Sequence, residues 1–482
     1  MRSEPSGSAA TQSRRGTTVG LHPGGVAPVW PAVQQYSSLY TDHYELTMLD
    51  AALASSMADR RAIFEVFARD LAPGRRFGVV AGTRRLVDAI AAFRFGPEEL
   101  AFLDGHRIVS PATLDWLAGY RFSGDIWGYR EGECYFPQSP VLGIEGSFGE
   151  AVLLETLVLS ILSFDSAIAS AATRIVTAAR GRPVTEMGSR RTNEEAAVAA
   201  ARAAYLAGFA ATSNLEAGRR FGIPTAGTAS HAFILAYRDE AAAFDAQLRA
   251  LGTGTTLLVD TYDIYHAIRS AVRLARAHGA SGPGGIRIDS GDLGSQAREA
   301  RALLDSLGAT STQIVATSDL DEFSIERLQD APIDAYGVGT QLVTGSGVPT
   351  SGFVYKLVAI ARDDGTRAPL MPVAKHSPGK ETTGGPKRAW RLFGPDGCAI
   401  RELVVAEASA PLQATGKGLP CAAQGHRRAL QTQFMQNGEA DRSTSNEEIR
   451  THHQAVLAEL PREALALQQG GPALAVELDG PR

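Results

Sequence analysis

TTLLVDT (255–261), GIRID (285–289), TQIVAT (312–317) and IDAYGVGT (333–340) are four short apolar runs in one ordered series. The first three are each followed by a polar turn and a stretch of helical periodicity, over about 263–278, 293–307 and 319–329. Short β-rich runs alternating with helices of this length indicate parallel βα units. The unusual polar residues fall at the carboxyl ends of the runs: Asp260, Asp289, Ser318 and the pair Gly339-Thr340. In a parallel α/β barrel those ends share one face, and chemistry occurs on it. The late Gly-rich turn YGVGT is able to cradle a phosphate on its backbone N–H groups, although a tight turn needs no ligand.

Upstream lie a long Ala/Leu-rich helical stretch (150–180) and another at 194–208. Residues 81–104 read as helices and YRFSGDIWGYREGE (120–133) as strands and turns. Downstream, FVYKLVAI (353–360) and AWRLF (389–393) are again β-like. The fold class expected is α/β, a TIM-like parallel barrel with a second domain formed from the N- and C-terminal segments. The boundaries expected are a flexible Ser/Gly/Pro-rich tail (1–35), a terminal domain (36–140 with 350–482) and the barrel (141–349).

The 482 residues carry 47 Lys+Arg against 52 Asp+Glu, a net charge of -5, which argues against nucleic-acid binding. A mean hydropathy of -0.07 excludes disorder over most of the chain. Cys134, Cys398 and Cys421 form no CxxC pair, so neither a zinc site nor a disulfide framework is indicated. The longest apolar stretch, AVLLETLVLSILS (151–163), is too short to span a bilayer, and residues 1–25 hold no apolar run of signal-peptide length. A cytoplasmic location without membrane contact is expected. Only five of the basic residues are lysines, and three of those, Lys375, Lys380 and Lys387, sit in KHSPGKETTGGPKR (375–388), which reads as a mobile loop.

Four constellations carry the chemistry. RIDSGDL (287–293) sets Arg287 beside Asp289 and Asp292; paired carboxylates suit sugar hydroxyls or a Mg²⁺ shell, and Asp292 also suits a helix cap. EMGSRRT (186–192) offers adjacent arginines for an anion, or equally a solvated helix start. In GTASHAF (227–233), His231 follows a strand-like run, IPTAG, and opens an apolar helix, where a capping role competes with a chemical one. In SLYTDHYE (38–45), Tyr44 suits ring stacking or core packing.

Taken in order, LYTDHYELTM, FEVF, YRFSGDIWG, EMGSRRT, ATSNLEAGRRFGIPTAGTASHAF, LLVDTYD, IRIDSGDL, YGVGT and VYKLV resemble the nicotinate phosphoribosyltransferases, most closely their actinobacterial branch, from about residue 36 to 475. The resemblance implies transfer of a phosphoribosyl group from 5-phosphoribosyl pyrophosphate to nicotinate. The products are nicotinate mononucleotide and pyrophosphate, and the reaction needs Mg²⁺ and feeds NAD synthesis. It implies an incomplete TIM-like α/β barrel with a second α/β domain built from both chain ends, ATP hydrolysis coupled through a phosphohistidine, and a homodimer with sites at the interface.

By motif, His231 matches the phosphorylated histidine, Tyr44 and Met187 the two faces around the pyridine ring, and Arg287 the cation beside the ring carboxylate or pyrophosphate. Asp289 matches the ribose partner, Arg190 a phosphate-binding arginine, Gly339 and Thr340 the 5′-phosphate turn, and Lys380 a loop lysine. Ser318 stands in the substrate-binding turn. Ser213 occupies a position where related nicotinamide enzymes carry Asp; an uncharged donor there suits an acid. The chain departs from the family pattern at Asn193, where His is usual, and at Thr317-Ser318, where Ser-Gly is usual. A nicotinamide-type enzyme and a non-catalytic nucleotide-binding paralogue are the alternative readings.

Overall fold

The computed structural model describes residues 37–363, 368–375, 382–406 and 426–479. The expected tail and Lys380 lie outside the described residues, as does Cys421. Contacts divide the described chain into two units, residues 228–315 and residues 37–227 with 316–479.

In the smaller unit the strands Thr256–Leu258 and Gly285–Ile288 pair in parallel, Leu257 beside Ile286. They alternate with the helices Ile264–Ala277 and Leu293–Ser306. Each helix begins at an aspartate that accepts a first-turn N–H: Asp263 takes the amide of His266 at 2.6 Å, and Asp292 that of Ser295 at 3.1 Å. Asp292 is therefore the helix cap, which leaves Asp289 at the strand end. IPTAG, expected as strand-like, is not a strand: only Thr225 makes a bridge, to Thr212, because Pro224 supplies no ladder N–H.

In the larger unit the strands Val184–Glu186, Ala211–Thr212 and Ala335–Val338 are parallel, with Val184–Glu186 in the middle. The helices Glu155–Ala179 and Glu194–Leu206 pack together beside them. Glu155–Ala179 is a correction to the sequence reading. Its 25 residues are long and apolar enough to cross a bilayer, because the apolar stretch runs on through Ala and Ser beyond residue 163. It is a core helix, with 78% of its most apolar window buried.

The two chain ends share an antiparallel sheet in this unit. Arg61–Ala68 pairs antiparallel with both Phe353–Ala361 and Leu142–Ser147, and Asp125–Tyr129 pairs with Gln431–Gln436. Phe64 stacks on Tyr355 at 4.7 Å between ring centroids, joining N- and C-terminal strands in one core. Lys387, expected in a loop, opens the strand Lys387–Phe393 and is buried, its ammonium 2.6 Å from the Glu65 carboxylate.

Candidate active site

Every predicted polar strand end lies where the alternation places it: Asp260 just past Leu258, Asp289 directly after Ile288, Ser318 just past Ala316 and Gly339 directly after Val338. Each unit gathers its own set.

In the smaller unit His231 opens the helix His231–Leu235. Its Nδ1 lies 3.1 Å from the Thr261 hydroxyl. Its Nε2 lies 3.8 Å from Asp289 Oδ2 and 4.0 Å from Asp260 Oδ1. Arg287 reaches Asp289 at 3.0 Å and donates to the Thr228 hydroxyl at 3.0 Å. Asp260 was noted in the sequence as a strand end but given no role. Its side chain is 1% exposed; Oδ2 accepts the Asp289 N–H at 2.8 Å and the Ser290 hydroxyl at 2.9 Å, and Oδ1 accepts no hydrogen bond from the described residues. A buried carboxylate oxygen left over beside an imidazole is suited to holding a ring proton. Glu240, at the start of the helix Glu240–Leu251, is pushed up to about 7, by burial first and then by Asp263 and Asp260. The arrangement combines a half-exposed imidazole, a guanidinium and carboxylates, which together can bind a phosphorylated sugar and pass phosphoryl groups.

In the larger unit Met187 N donates to Val338 O at 2.8 Å, and a Cβ placed on Gly337 would meet the Met187 sulfur at 2.7 Å. A Cβ on Gly339 would come to 3.0 Å from the Met187 carbonyl, so the missing side chain is explained by packing before any phosphate is considered. Thr340 Oγ1 donates to Asp319 Oδ1 at 3.3 Å. Ser213 is exposed, its amide donating to Glu186 O at 2.7 Å. Arg190 is exposed on the loop ahead of the helix Glu194–Leu206, and Asn193 caps that helix by accepting the amides of Glu195 and Ala196. The departure at Asn193 therefore keeps a competent helix start. Ser318 is exposed with φ of 135°, in the region that favours glycine.

Tyr44 is placed by elements other than the strand end that carries Met187. It lies on the helix His43–Ala54, which packs on Phe148–Val152 and Pro111–Ala118. Its hydroxyl faces Glu155, and burial first, then that carboxylate, raises its pKa. Among the described residues no group of three or more His, Cys, Asp or Glu side chains is arranged to hold a metal ion. Sequence reasoning missed Glu186 and Asp260 as organisers of these loops; the only signal was their place at strand ends.

Residues 39–163 match the family model for the N-terminal domain of nicotinate phosphoribosyltransferase. The chain is 52% identical over 452 residues to the nicotinate phosphoribosyltransferase pncB1 of Mycobacterium tuberculosis, covering 92% of this chain and 96% of that one. It is 38% identical over 361 residues to the nicotinate phosphoribosyltransferase of Bacillus subtilis, covering 74% and 73%. The crystal structure of human nicotinic acid phosphoribosyltransferase superposes with a TM-score of 0.75 at 26% identity, over 91% of this chain and 97% of that one. The fold is accordingly an incomplete TIM-like α/β barrel with a second α/β domain.

Proposed function

The chain belongs to the nicotinate phosphoribosyltransferase family, and we propose that it is an ATP-coupled enzyme that joins nicotinate to 5-phosphoribosyl pyrophosphate, releasing pyrophosphate, in NAD biosynthesis. The observation that carries this reading is the grouping of His231, at the start of its helix, with Asp260, Arg287 and Asp289 of the two strand ends in a member of that family.

The nicotinate ring nitrogen is already nucleophilic and attacks C1 of the ribose, and the C1–O bond to pyrophosphate breaks. Positive charge develops on the sugar and negative charge on the leaving group. Arg287 meets the negative charge and Asp289 holds the ribose hydroxyls. Mg²⁺ is a cofactor in this reading, and bound to the pyrophosphate oxygens it would neutralise the leaving group. Such an ion needs only one or two protein carboxylates beside substrate phosphates, and Asp260 and Asp289 supply that donor chemistry. Met187 and Tyr44 are proposed against the ring, Tyr44 from a second subunit of a homodimer, and Ser213 at the ring carboxylate. Gly339, Thr340, Ser318 and Arg190 are proposed at phosphates, with Lys380 on the loop.

His231 is proposed to take the γ-phosphoryl group of ATP. A ring nitrogen forms the N–P bond, the P–O bond to ADP breaks, and water later removes the phosphoryl group. With a proton on Nε2 toward Asp260 and Asp289, Nδ1 keeps its lone pair, and rotation of the Thr261 hydroxyl releases it. The energy acts by shifting populations of bound states, not by touching the reacting bond. A cytoplasmic location goes with this reading.

The test mixes the protein with nicotinate, 5-phosphoribosyl pyrophosphate and Mg²⁺, with and without ATP. Nicotinate mononucleotide should form slowly alone and faster with ATP, and His231→Ala should keep only the slow rate. No product in either mixture would reject the activity; equal rates with and without ATP would reject the coupling.

A further inference from the structure

We infer that Glu186 is a positioning residue for the pyridine-carboxylate slot: its carboxyl ties the turn that follows Met187 to the loop bearing Ser213, and so sets the separation of the groups proposed to meet nicotinate. The inference rests on the function proposed above and deepens it.

Glu186 ends the strand Val184–Glu186 and is 0% exposed, so it cannot itself reach a ligand in solvent. Both carboxyl oxygens are used on backbone and neighbour: Oε1 accepts the Gly188 N–H, and Oε2 accepts the Thr212 hydroxyl. The main-chain carbonyl of the same residue accepts the Ser213 N–H at 2.7 Å. Thr212 Oγ1 then accepts the Asn214 N–H at 2.9 Å, and the Asn214 side-chain amide donates to Ser189 Oγ at 3.0 Å. The circuit closes on the Gly188-Ser189 peptide, so a single buried group fixes both loops.

The circuit has no slack on the Met187 side. A Cβ on Gly188 would strike Val343 and come to 3.0 Å from Glu186 Oε1 and 3.1 Å from Gly339 O. Met187 N is itself held by Val338 at 2.8 Å. Burial raises the carboxyl pKa, opposed by the Thr212 and Gly188 hydrogen bonds, as expected of a carboxyl retained for its acceptor geometry. Shortening this side chain removes both carboxyl bonds and leaves the loops to the Ser213–Glu186 main-chain bond and the Asn214–Ser189 bond, a looser tie where nicotinate is proposed to enter, while the Arg287–Asp289 pair lies in the other unit and keeps its own contacts.

The experiment measures both Michaelis constants and, by calorimetry, nicotinate binding without turnover. Glu186→Ala should raise the nicotinate KM and Kd at least tenfold, with the 5-phosphoribosyl pyrophosphate KM within about threefold of wild type. Glu186→Gln keeps an acceptor for Gly188 and a donor that Thr212 can accept, so it should recover most of the nicotinate affinity. Should the alanine variant fail to fold, Thr212→Val removes one arm of the tie at equal volume and should show the same one-sided rise. An unchanged nicotinate KM, equal rises for both substrates, or no recovery with glutamine would overturn the inference. A wild-type protein that makes no nicotinate mononucleotide would instead reject the functional reading on which it rests.

Discussion

Ser318 shows what one atom set costs at a rim. Its φ of 135° is a conformation in which a Cβ is strained by ~1–3 kcal/mol, and glycine takes it freely. Glycine also adds unfolded-state entropy of roughly 0.5–1 kcal/mol, so the two effects oppose each other. Ser318→Gly should therefore gain about 1 kcal/mol, read as a higher urea midpoint at unchanged slope. A lower midpoint would mean that the exposed serine makes compensating contacts. Ser318 was legible as a rim position because it follows an apolar run, whereas its strain was not, since a dihedral angle leaves no trace in residue order. Asp260 and Glu186 were hidden for a related reason: an acid after a short strand reads as a turn, and only the positions of its neighbours reveal that it is buried. Arg287 and Asp289 were legible because the βα alternation brings strand ends onto one face, whereas His231 follows no strand and was assigned a chemical role only by the family resemblance.

Among the elements, the C-terminal helix Asn446–Glu459 is joined to the long helix Glu155–Ala179 by a buried histidine. His453 Nδ1 lies 2.8 Å from Gly132 O and Nε2 2.9 Å from Thr173 Oγ1. A carbonyl only accepts, so Nδ1 carries the proton. Burial pushes the pKa from 6.5 down to about 4, so the neutral ring presents its Nε2 lone pair to the Thr173 hydroxyl, which divides its one proton between that nitrogen and Ala169 O, each at 2.9 Å. Between pH 6.5 and 4 the unfolded chain binds more protons at this residue than the folded one. The contribution is therefore complete above pH 6.5 and lost as pH falls toward 4. His453→Gln should be less stable than wild type at pH 7, and the gap should narrow as pH is lowered to 4 in parallel urea titrations. A gap independent of pH would show that the histidine stays charged or is equally buried in the unfolded chain. The short strands and their helices were legible from periodicity within a few residues. The helix Glu155–Ala179 was legible at nearly its full length within 150–180, whereas the extent of its apolar run was not, because its second half is built from Ala, Ser and Thr, which carry little hydrophobic contrast.

Across the whole molecule, the pairing of the two chain ends was legible only as a texture, β-like segments on either side of the βα series. No local pattern links Glu65 to Lys387, which stand 322 positions apart. Their contact is nevertheless among the most buried ion pairs in the larger unit, at 2.6 Å with side-chain exposures of 1% and 8%. Glu65 Oε1 also accepts the Lys387 backbone N–H at 2.7 Å, so the first strand of the N-terminal segment holds the start of Lys387–Phe393 by charge and backbone at once. In a chain that otherwise prefers arginine, the compact Lys387 ammonium donates both to Glu65 Oε2 and, at 3.1 Å, to the Gly385 carbonyl. Removing one partner leaves an uncompensated buried charge, which costs about 3–5 kcal/mol, whereas removing both replaces the pair with neutral groups at much smaller cost. Lys387→Met and Glu65→Gln should therefore each lower the urea midpoint strongly, since a glutamine oxygen kept on the backbone N–H turns its NH2 toward the ammonium, and the double variant should be more stable than either alone. Additive losses across this cycle would mean that the two chain ends are held together by the shared strands and their apolar faces, with the charges as bystanders.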